Sequence, residues 1–230
     1  MKICLIPARG GSKRIPRKNI RSFQGKPMIS WSISTALAAN CFDRVIVSTD
    51  DSEIADVARS EGADVPFMRP SQLADDQAST QSVVLHALDW LNENGQNCDA
   101  ICCLYATAPF VLSEDLFAAY QRLLAARPGT VVFAATSFPF PIQRAVRLDQ
   151  SGYSTMFHPE YFTTRSQDLE EAYHDAGQFY WATPVTWREK QNLFDGALPL
   201  ILPRWRVQDI DTEEDWRRAE LLHQIIRNHV

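Results

Sequence analysis

Two rhythms of apolar and polar positions alternate along the chain. Short apolar runs stand at 2–8 (KICLIPA), 43–50 (DRVIVSTD), 63–70 (ADVPFMRP), 99–107 (DAICCLYAT) and 129–136 (GTVVFAAT), and each reads as a β-strand. Between them, apolar residues recur at helical spacing. The helix predicted over 27–40 opens with Pro27, which suits a first helical turn. The helix over 51–62 carries acids in its first turn and has Gly62 just past its end. The helix over 79–95 starts at a Ser/Thr cap and stops at a glycine, and the one over 113–127 is capped by Ser113. Strands separated by helices imply crossover connections and a largely parallel sheet covered on both faces.

The rhythm breaks after residue 136. "SFPFPIQ" is proline-rich, "RAVRLDQSGYSTMF" reads as two antiparallel strands around a Gln-Ser-Gly turn, and "HPEYFTTRSQDLEEAYHDAG" is polar, aromatic and irregular. Alternation resumes with the strand 177–183, a short helix near 184–192, the strand 198–203 and a final helix from Thr212. There "TEED" has the shape of a capping box, with Asp215 in the place of the usual Glu or Gln. The predicted fold is a single α/β domain over 1–230, a three-layer α/β/α Rossmann-like arrangement with a small antiparallel, irregular insertion at about 137–176.

Composition narrows the class. The chain has 230 residues, 45% hydrophobic and 22% charged, in the range of ordinary soluble globular domains. No apolar run approaches the roughly 20 residues of a membrane span, and the N-terminal apolar stretch is too brief for a signal-peptide core. A cytoplasmic protein without a membrane partner is expected. The five cysteines form no C-x-x-C pair, so neither disulfides nor a zinc site is expected.

Charge is more informative. Net charge is −5, yet residues 1–42 hold eight Lys or Arg and no acid. A local basic site on an acidic body suits a small polyanion and argues against nucleic acid as partner. Most of that charge lies in "PARGGSKRIPRKN" (7–19), between the first strand and the first helix, at the sheet edge where α/β proteins bind ligands. Gly10 and Gly11 allow backbone N–H groups to converge on an anion, and Arg9 and Lys13 add formal charge, so phosphate is the natural guest. The spacing is neither that of a Walker A loop nor that of a dinucleotide fingerprint. A second charged cluster is Asp209-Ile210-Asp211. In extended backbone its two carboxylates share a face and can approach one Mg²⁺, although Asp211 can instead help cap the last helix.

The run "IPARGGSKRIPRKNI" resembles the signature of the cytidylyltransferases that activate nonulosonic, sialic-acid-like sugars. "FDRVIVSTDDSEIA", "VPFMRPSQLADDQAST" and "DIDTEED" continue the likeness in the same order over nearly the whole chain. "YATAPF" and "YHDAGQFYW" look most like the branch acting on pseudaminic acid; N-acetylneuraminate and legionaminate enzymes are the neighbouring alternatives.

The resemblance implies a nucleotidyltransferase that takes CTP and a nonulosonic acid. Ala8, Arg9, Gly10, Gly11, Ser12 and Lys13 would hold the triphosphate, with Lys18 and Asn19 near the nucleotide. Arg69, Asp76 and Thr80 would fall at the nucleotide pocket; Asp76 and Thr80 equally suit helix capping. Asp209 and Asp211 would hold Mg²⁺, and Arg9, Lys13 and Asp211 would be the catalytic groups. Tyr105 and Thr107 would face the sugar. Sialate enzymes carry glutamine where Tyr105 stands, which argues against N-acetylneuraminate itself. Arg165 would bind the sugar carboxylate or pair with Asp168 or Glu170, and Gln178 would contact sugar or satisfy backbone. The aromatic-rich insertion would form a homodimer. His86, on an apolar helix face, reads as a core histidine. A reading of another class, a non-enzymatic nucleotide- or RNA-binding protein built on the basic loop, has the Asp209/Asp211 pair against it.

Overall fold

The computed structural model describes residues 1–75 and 78–229. In chain order the elements are β1 (Lys2–Pro7), β2 (Ser22–Phe23), β3 (Lys26–Pro27), α1 (Met28–Ala38), β4 (Arg44–Ser48), α2 (Ser52–Ser60), α3 (Thr80–Glu93), β5 (Ala100–Leu104), α4 (Ser113–Ala125), β6 (Val132–Ser137), β7 (Val146–Leu148), β8 (Ser154–Met156), β9 (Tyr173–Ala182), α5 (Pro184–Glu189), β10 (Leu198–Ile201) and α6 (Glu213–His229).

Six strands form the central sheet in the order β10-β6-β9-β5-β1-β4. β1 is parallel to β4 and β5, and β10 is parallel to β6. β9 runs antiparallel to both β5 and β6. Its direction follows from the connection: the chain leaves β6, passes through the insertion and returns directly, and an antiparallel neighbour needs no crossover helix. In the insertion β7 and β8 form the predicted hairpin.

Alternation of side chains sorts the strands' residues to two faces. Cys4, Ile6, Val47, Cys102, Leu104 and Trp181 pack with α1, α2 and α4 through Ile29, Ile33, Ile54 and Leu116. Ile3, Leu5, Ile46, Ile101 and Tyr180 pack with α3 and α5 through Val84, Leu88, Leu91 and Trp187. The arrangement is therefore the three-layer one read from the sequence. A third cluster joins Ile15 of the basic loop to Phe23, Met28, Ile210 and, on α6, Trp216 and Ala219. Full burial of Ile15 contributes about 2–3 kcal/mol, and it fixes the loop against the chain segment that carries Asp209 and Asp211.

Some local expectations change. No strand forms at 63–70; only the bridges Ile46–Asp64 and Thr49–Met68 join this segment to the sheet edge. Pro66 and Pro70 lack the N–H groups that a continued ladder needs. Pro27 is the residue before α1 and pairs in the small ribbon with Ser22. Leu112, not Ser113, caps α4: its N–H donates to the Asp115 carboxylate at 3.0 Å. The capping box of α6 forms as read, with Thr212 N–H donating to Asp215 at 2.9 Å and Asp215 N–H to Thr212 Oγ1 at 3.2 Å. All five cysteines are free thiols. No helix among the described residues is long and apolar enough to cross a membrane.

Candidate active site

The basic loop begins as a continuation of the sheet. Ala8, buried, donates its N–H to the Ser48 carbonyl at 2.9 Å, so the chain stays beside β4 for one residue past β1. It then turns. Gly10 N–H donates to Asp50 Oδ1 at 3.0 Å and is thereby committed to protein rather than left for an anion. Gly10 is needed for a different reason: a Cβ there would lie 2.7 Å from Asp51 Oδ2. Gly11 has open space where a Cβ would go.

Several contacts hold the rest of the loop. Asn19 donates from Nδ2 to the Arg9 carbonyl at 2.9 Å and accepts from Ile29 N–H at 2.8 Å, tying the loop's start and end to α1. Arg17 has a left-handed backbone, φ 55°, and its carbonyl accepts from Ile20 and Arg21. Its guanidinium pairs with Asp51 and Glu53. That hydrogen bond from Arg17, more than any other contact, holds the Asp51 carboxyl below the usual carboxylate range. Asp51 also caps α2 by accepting from Ile54 N–H at 3.0 Å.

The two charge sets read from the sequence meet. Arg14 pairs with Asp211 Oδ2 at 2.9 Å. Lys18 Nζ donates to the Ile210 carbonyl at 2.6 Å and lies 3.3 Å from Asp211 Oδ1. Beside this contact opens a cleft of about 280 Å³ at the carboxyl ends of β1 and β5. Arg9, Ser12, Lys13, Lys18, Asn19, Arg69, Thr80, Tyr105, Thr107 and Asp211 all line it. Arg69 is buried at its inner wall, donating from Nε to Ser48 Oγ at 3.0 Å and from a terminal nitrogen to the Ser48 carbonyl. Burial pulls its pKa down to about 10, against the opposing pull of Asp50.

The shared face read for Asp209 and Asp211 needs correcting: Asp211 lines the cleft and Asp209 does not, although the two are close enough to feel each other's charge. Ile210 is buried between the two aspartates, and Asp209 borders a neighbouring cavity with His174, Asp175, Arg204, Gln208 and Arg218. Burial first, then the negative charge of Asp211, pushes its carboxyl upward, opposed by Lys18 and Arg14. A carboxylate whose ionisation is opposed by burial and by a neighbouring acid is a donor that a divalent cation relieves. The oxygen chemistry of Asp209 and Asp211 therefore fits a hard cation that completes its shell with water and substrate phosphate.

The remaining sequence-predicted residues stand elsewhere. Arg165 pairs with Asp168 at 2.7 Å on the exposed insertion. Gln178 is buried in β9 and donates to the Arg206 carbonyl at 2.7 Å. Asp76 lies outside the described residues. His86 packs edge-on against Phe67, ring centroids 4.9 Å apart, and burial lowers its pKa. Sequence reasoning missed Arg14 as a partner of Asp211, and Asp50 and Asp51 as the loop's anchors. Both acids stand where the strand 43–50 gives way to the helix 51–62, and that position was the signal for them.

Comparison with known proteins adds to this geometry. The sequence pattern of the family described as "Cytidylyltransferase" matches residues 3–193. A "Pseudaminic acid cytidylyltransferase" of Campylobacter jejuni is 46% identical over 99% of this chain and 97% of its own length. A "CMP-N,N'-diacetyllegionaminic acid synthase" of Legionella pneumophila is 32% identical over 97% and 96%. A solved CMP:2-keto-3-deoxy-manno-octonic acid synthetase in complex with CTP has the same fold, with TM-score 0.70 and 16% identity over 97% of this chain and 98% of that one.

Proposed function

The chain belongs to the cytidylyltransferase family, and from that premise we propose that it transfers CMP from CTP to the anomeric 2-hydroxyl of pseudaminic acid, releasing pyrophosphate. The observation that carries the nucleotide half is the cleft in which Arg9, Lys13, Lys18 and Arg69 stand together at the carboxyl edge of the sheet. The sugar half rests on the name of the Campylobacter relative.

The sugar hydroxyl attacks the α-phosphorus in line. The new bond joins the anomeric oxygen to phosphorus, the bond from the α-phosphorus to the bridging oxygen breaks, and pyrophosphate leaves with that electron pair. Arg9 and Lys13 meet the negative charge that develops on the transferring and departing phosphates. Asn19 keeps Arg9 in place through its carbonyl. Among the described residues Asp211 is the carboxylate that lines the cleft, and it takes the hydroxyl proton. Asp209 and Asp211 would hold Mg²⁺, which supplies positive charge to the triphosphate when bound.

The working form is a homodimer. The insertion supports this reading with exposed apolar side chains, Phe140 at 80% and Phe162 at 73% exposure, which a partner would cover. The protein works in the cytoplasm, where CTP is made.

Pyrophosphate release from CTP with a panel of pseudaminic, legionaminic, N-acetylneuraminic and 3-deoxy-manno-octulosonic acids tests the assignment. Turnover fastest with pseudaminic acid is expected. Preference for another acid would move the enzyme to a sister branch, and none at all would sink the transferase reading.

A further inference from the structure

The segment between β10 and α6 carries both aspartates, yet its one regular feature is a tight turn at Arg204–Arg206. Its position must come from side-chain anchors. One anchor is Ile210, buried against Ile15, whose carbonyl accepts from Lys18 at 2.6 Å. The other is Arg206.

Arg206 is turned inward. Its side chain is 11% exposed, and it meets Asp115, 12% exposed, at the start of α4. The contact is a two-pronged fork: one terminal nitrogen donates to Asp115 Oδ1 at 3.1 Å and the other to Oδ2. The Arg206 carbonyl accepts from Gln178 Nε2 at 2.7 Å. Gln178 stands in β9 where the pairing with β6 shifts between Tyr180 and Asp175, a bulge turned by Gly177 at φ 61°. The Gln178 carbonyl in turn accepts from Tyr105 N–H at 2.8 Å, and Tyr105 lines the cleft. Arg206 is therefore tied both to α4 and to the cleft wall, while neither it nor Asp115 borders the cleft.

Asp209 lies between the two anchors, with Val207 and Gln208 before it and Ile210 after. No hydrogen bond from a described residue reaches its carboxylate; burial and neighbouring charge act on it. Asp211, by contrast, keeps Arg14 and Lys18, and its N–H donates to Asp215 at 3.2 Å. Loss of the Arg206 anchor would thus release Asp209 and leave Asp211 in place. A buried ion pair is a poor source of stability, because desolvation offsets its attraction; what a guanidinium fork gives is fixed geometry. We propose that Arg206 and Asp115 are positioning residues that set the Asp209 carboxylate relative to Asp211, so that one divalent cation is held by both. The inference rests on the reading of these two acids as the metal ligands.

Mn²⁺, a hard cation with the same preference for oxygen, is the probe. Its binding to the full chain without nucleotide is followed by the electron paramagnetic resonance of the free ion. Calorimetric titration of CTP in the presence of EDTA and a melting curve run alongside. Arg206→Lys keeps a charge for Asp115 and loses the fork. It should weaken Mn²⁺ about tenfold, the lower end for a group that orients a metal ligand, and leave CTP affinity within about twofold of wild type. The double variant Asp115→Asn/Arg206→Met removes both charges together. Its asparagine oxygen can still accept from Leu112 N–H, and an uncharged pair of similar volume keeps stability, so it should melt near wild type and lose Mn²⁺ to the same degree. It decides the matter where Arg206→Lys does not fold. Asp209→Asn supplies the control that a general loosening would fail: once Asp209 is gone, adding Arg206→Lys should weaken Mn²⁺ by no more than about twofold further. Full additivity of the two, or folded Arg206 variants that bind Mn²⁺ within about twofold of wild type, would overturn the inference. Mn²⁺ binding left unchanged by Asp209→Asn alone would sink the carboxylate-pair reading, and the inference with it.

Discussion

Gly10 and Gly11 are neighbours in sequence, yet the structure assigns opposite consequences to the same substitution. In Gly10→Ala the new Cβ would sit 2.7 Å from Asp51 Oδ2, 3.0 Å from its Cβ and 3.2 Å from its Cγ. The Asp51 carboxylate must swing away, and it cannot do so without losing two partners. It caps α2 through Ile54 N–H, a contact worth about 1 kcal/mol. It also pairs with Arg17, whose side chain is 40% exposed against 21% for Asp51, so that pair contributes at most about 1 kcal/mol after screening. The substitution should therefore cost about 2 kcal/mol, which for a chain of this length lowers Tm by about 4–8 °C. Gly11 has no atom within 4 Å of a built Cβ and no left-handed φ, so Gly11→Ala should lie within about 0.5 kcal/mol of wild type. Urea unfolding followed by tryptophan fluorescence measures both. Asp51→Ala adds a coupling test, because it removes two of the three crowding atoms and should make Gly10→Ala cheaper than in the wild-type background. Equal stability of the two glycine variants, or strict additivity with Asp51→Ala, would refute the steric account of the loop.

Three further outcomes are expected. Lys13→Ala should lower kcat by about 10²–10³, the size seen when one donor to developing charge is removed, a far larger effect than on folding; wild-type kinetics would take the loop out of the mechanism. Asp209→Asn should raise the Mg²⁺ concentration needed for half-maximal rate about tenfold, and an unaltered metal titration would count against the carboxylate pair. Acid should destabilise the fold: Asp43, Asp51 and Asp215 have carboxyls held low by hydrogen bonds from Lys2 N–H, Arg17 and the Thr212 hydroxyl respectively. Their contribution is whole above the unfolded value of about 3.9 and drains as pH falls through the lower folded values, so urea midpoints should be level near pH 6 and decline below about pH 4; a midpoint that rises there would contradict the assignment.

The parallel part of the sheet was legible because β1, β4, β5 and β6 are buried on both faces and leave unbroken apolar runs. β9 was only half legible. Its apolar end, Phe179 to Ala182, reads as strand, but His174, Asp175, Gly177 and Gln178 interrupt the pattern. The structure spends those polar groups locally, Asp175 on the bulge and Gln178 on the Arg206 carbonyl, so they occupy a strand without violating burial rules. Nor does a strand's own residues say which way it runs: β9 is antiparallel because of the insertion before it. The edge segment at 63–70 fails to become a strand because Pro66 and Pro70 interrupt its donors, a signal the sequence carries alongside its apolar residues.

At the site, residue type was legible and pairing was not. A cluster of cations and a pair of acids can be counted in a sequence, but which members meet depends on Ile15 and Ile210, whose burial in one cluster sets the register between loop and C-terminal segment. That register gives Asp211 to Arg14 and Lys18 and turns Asp209 toward the second cavity. The free protein thus neutralises part of its basic loop with its own acid. On the transferase reading, a triphosphate takes over from Asp211 as the partner of these cations, and Asp211 then requires a cation of its own. Binding becomes an exchange of partners in which neither set of charges at the cleft loses its counter-charge, which is why anion and cation should bind together more tightly than either alone.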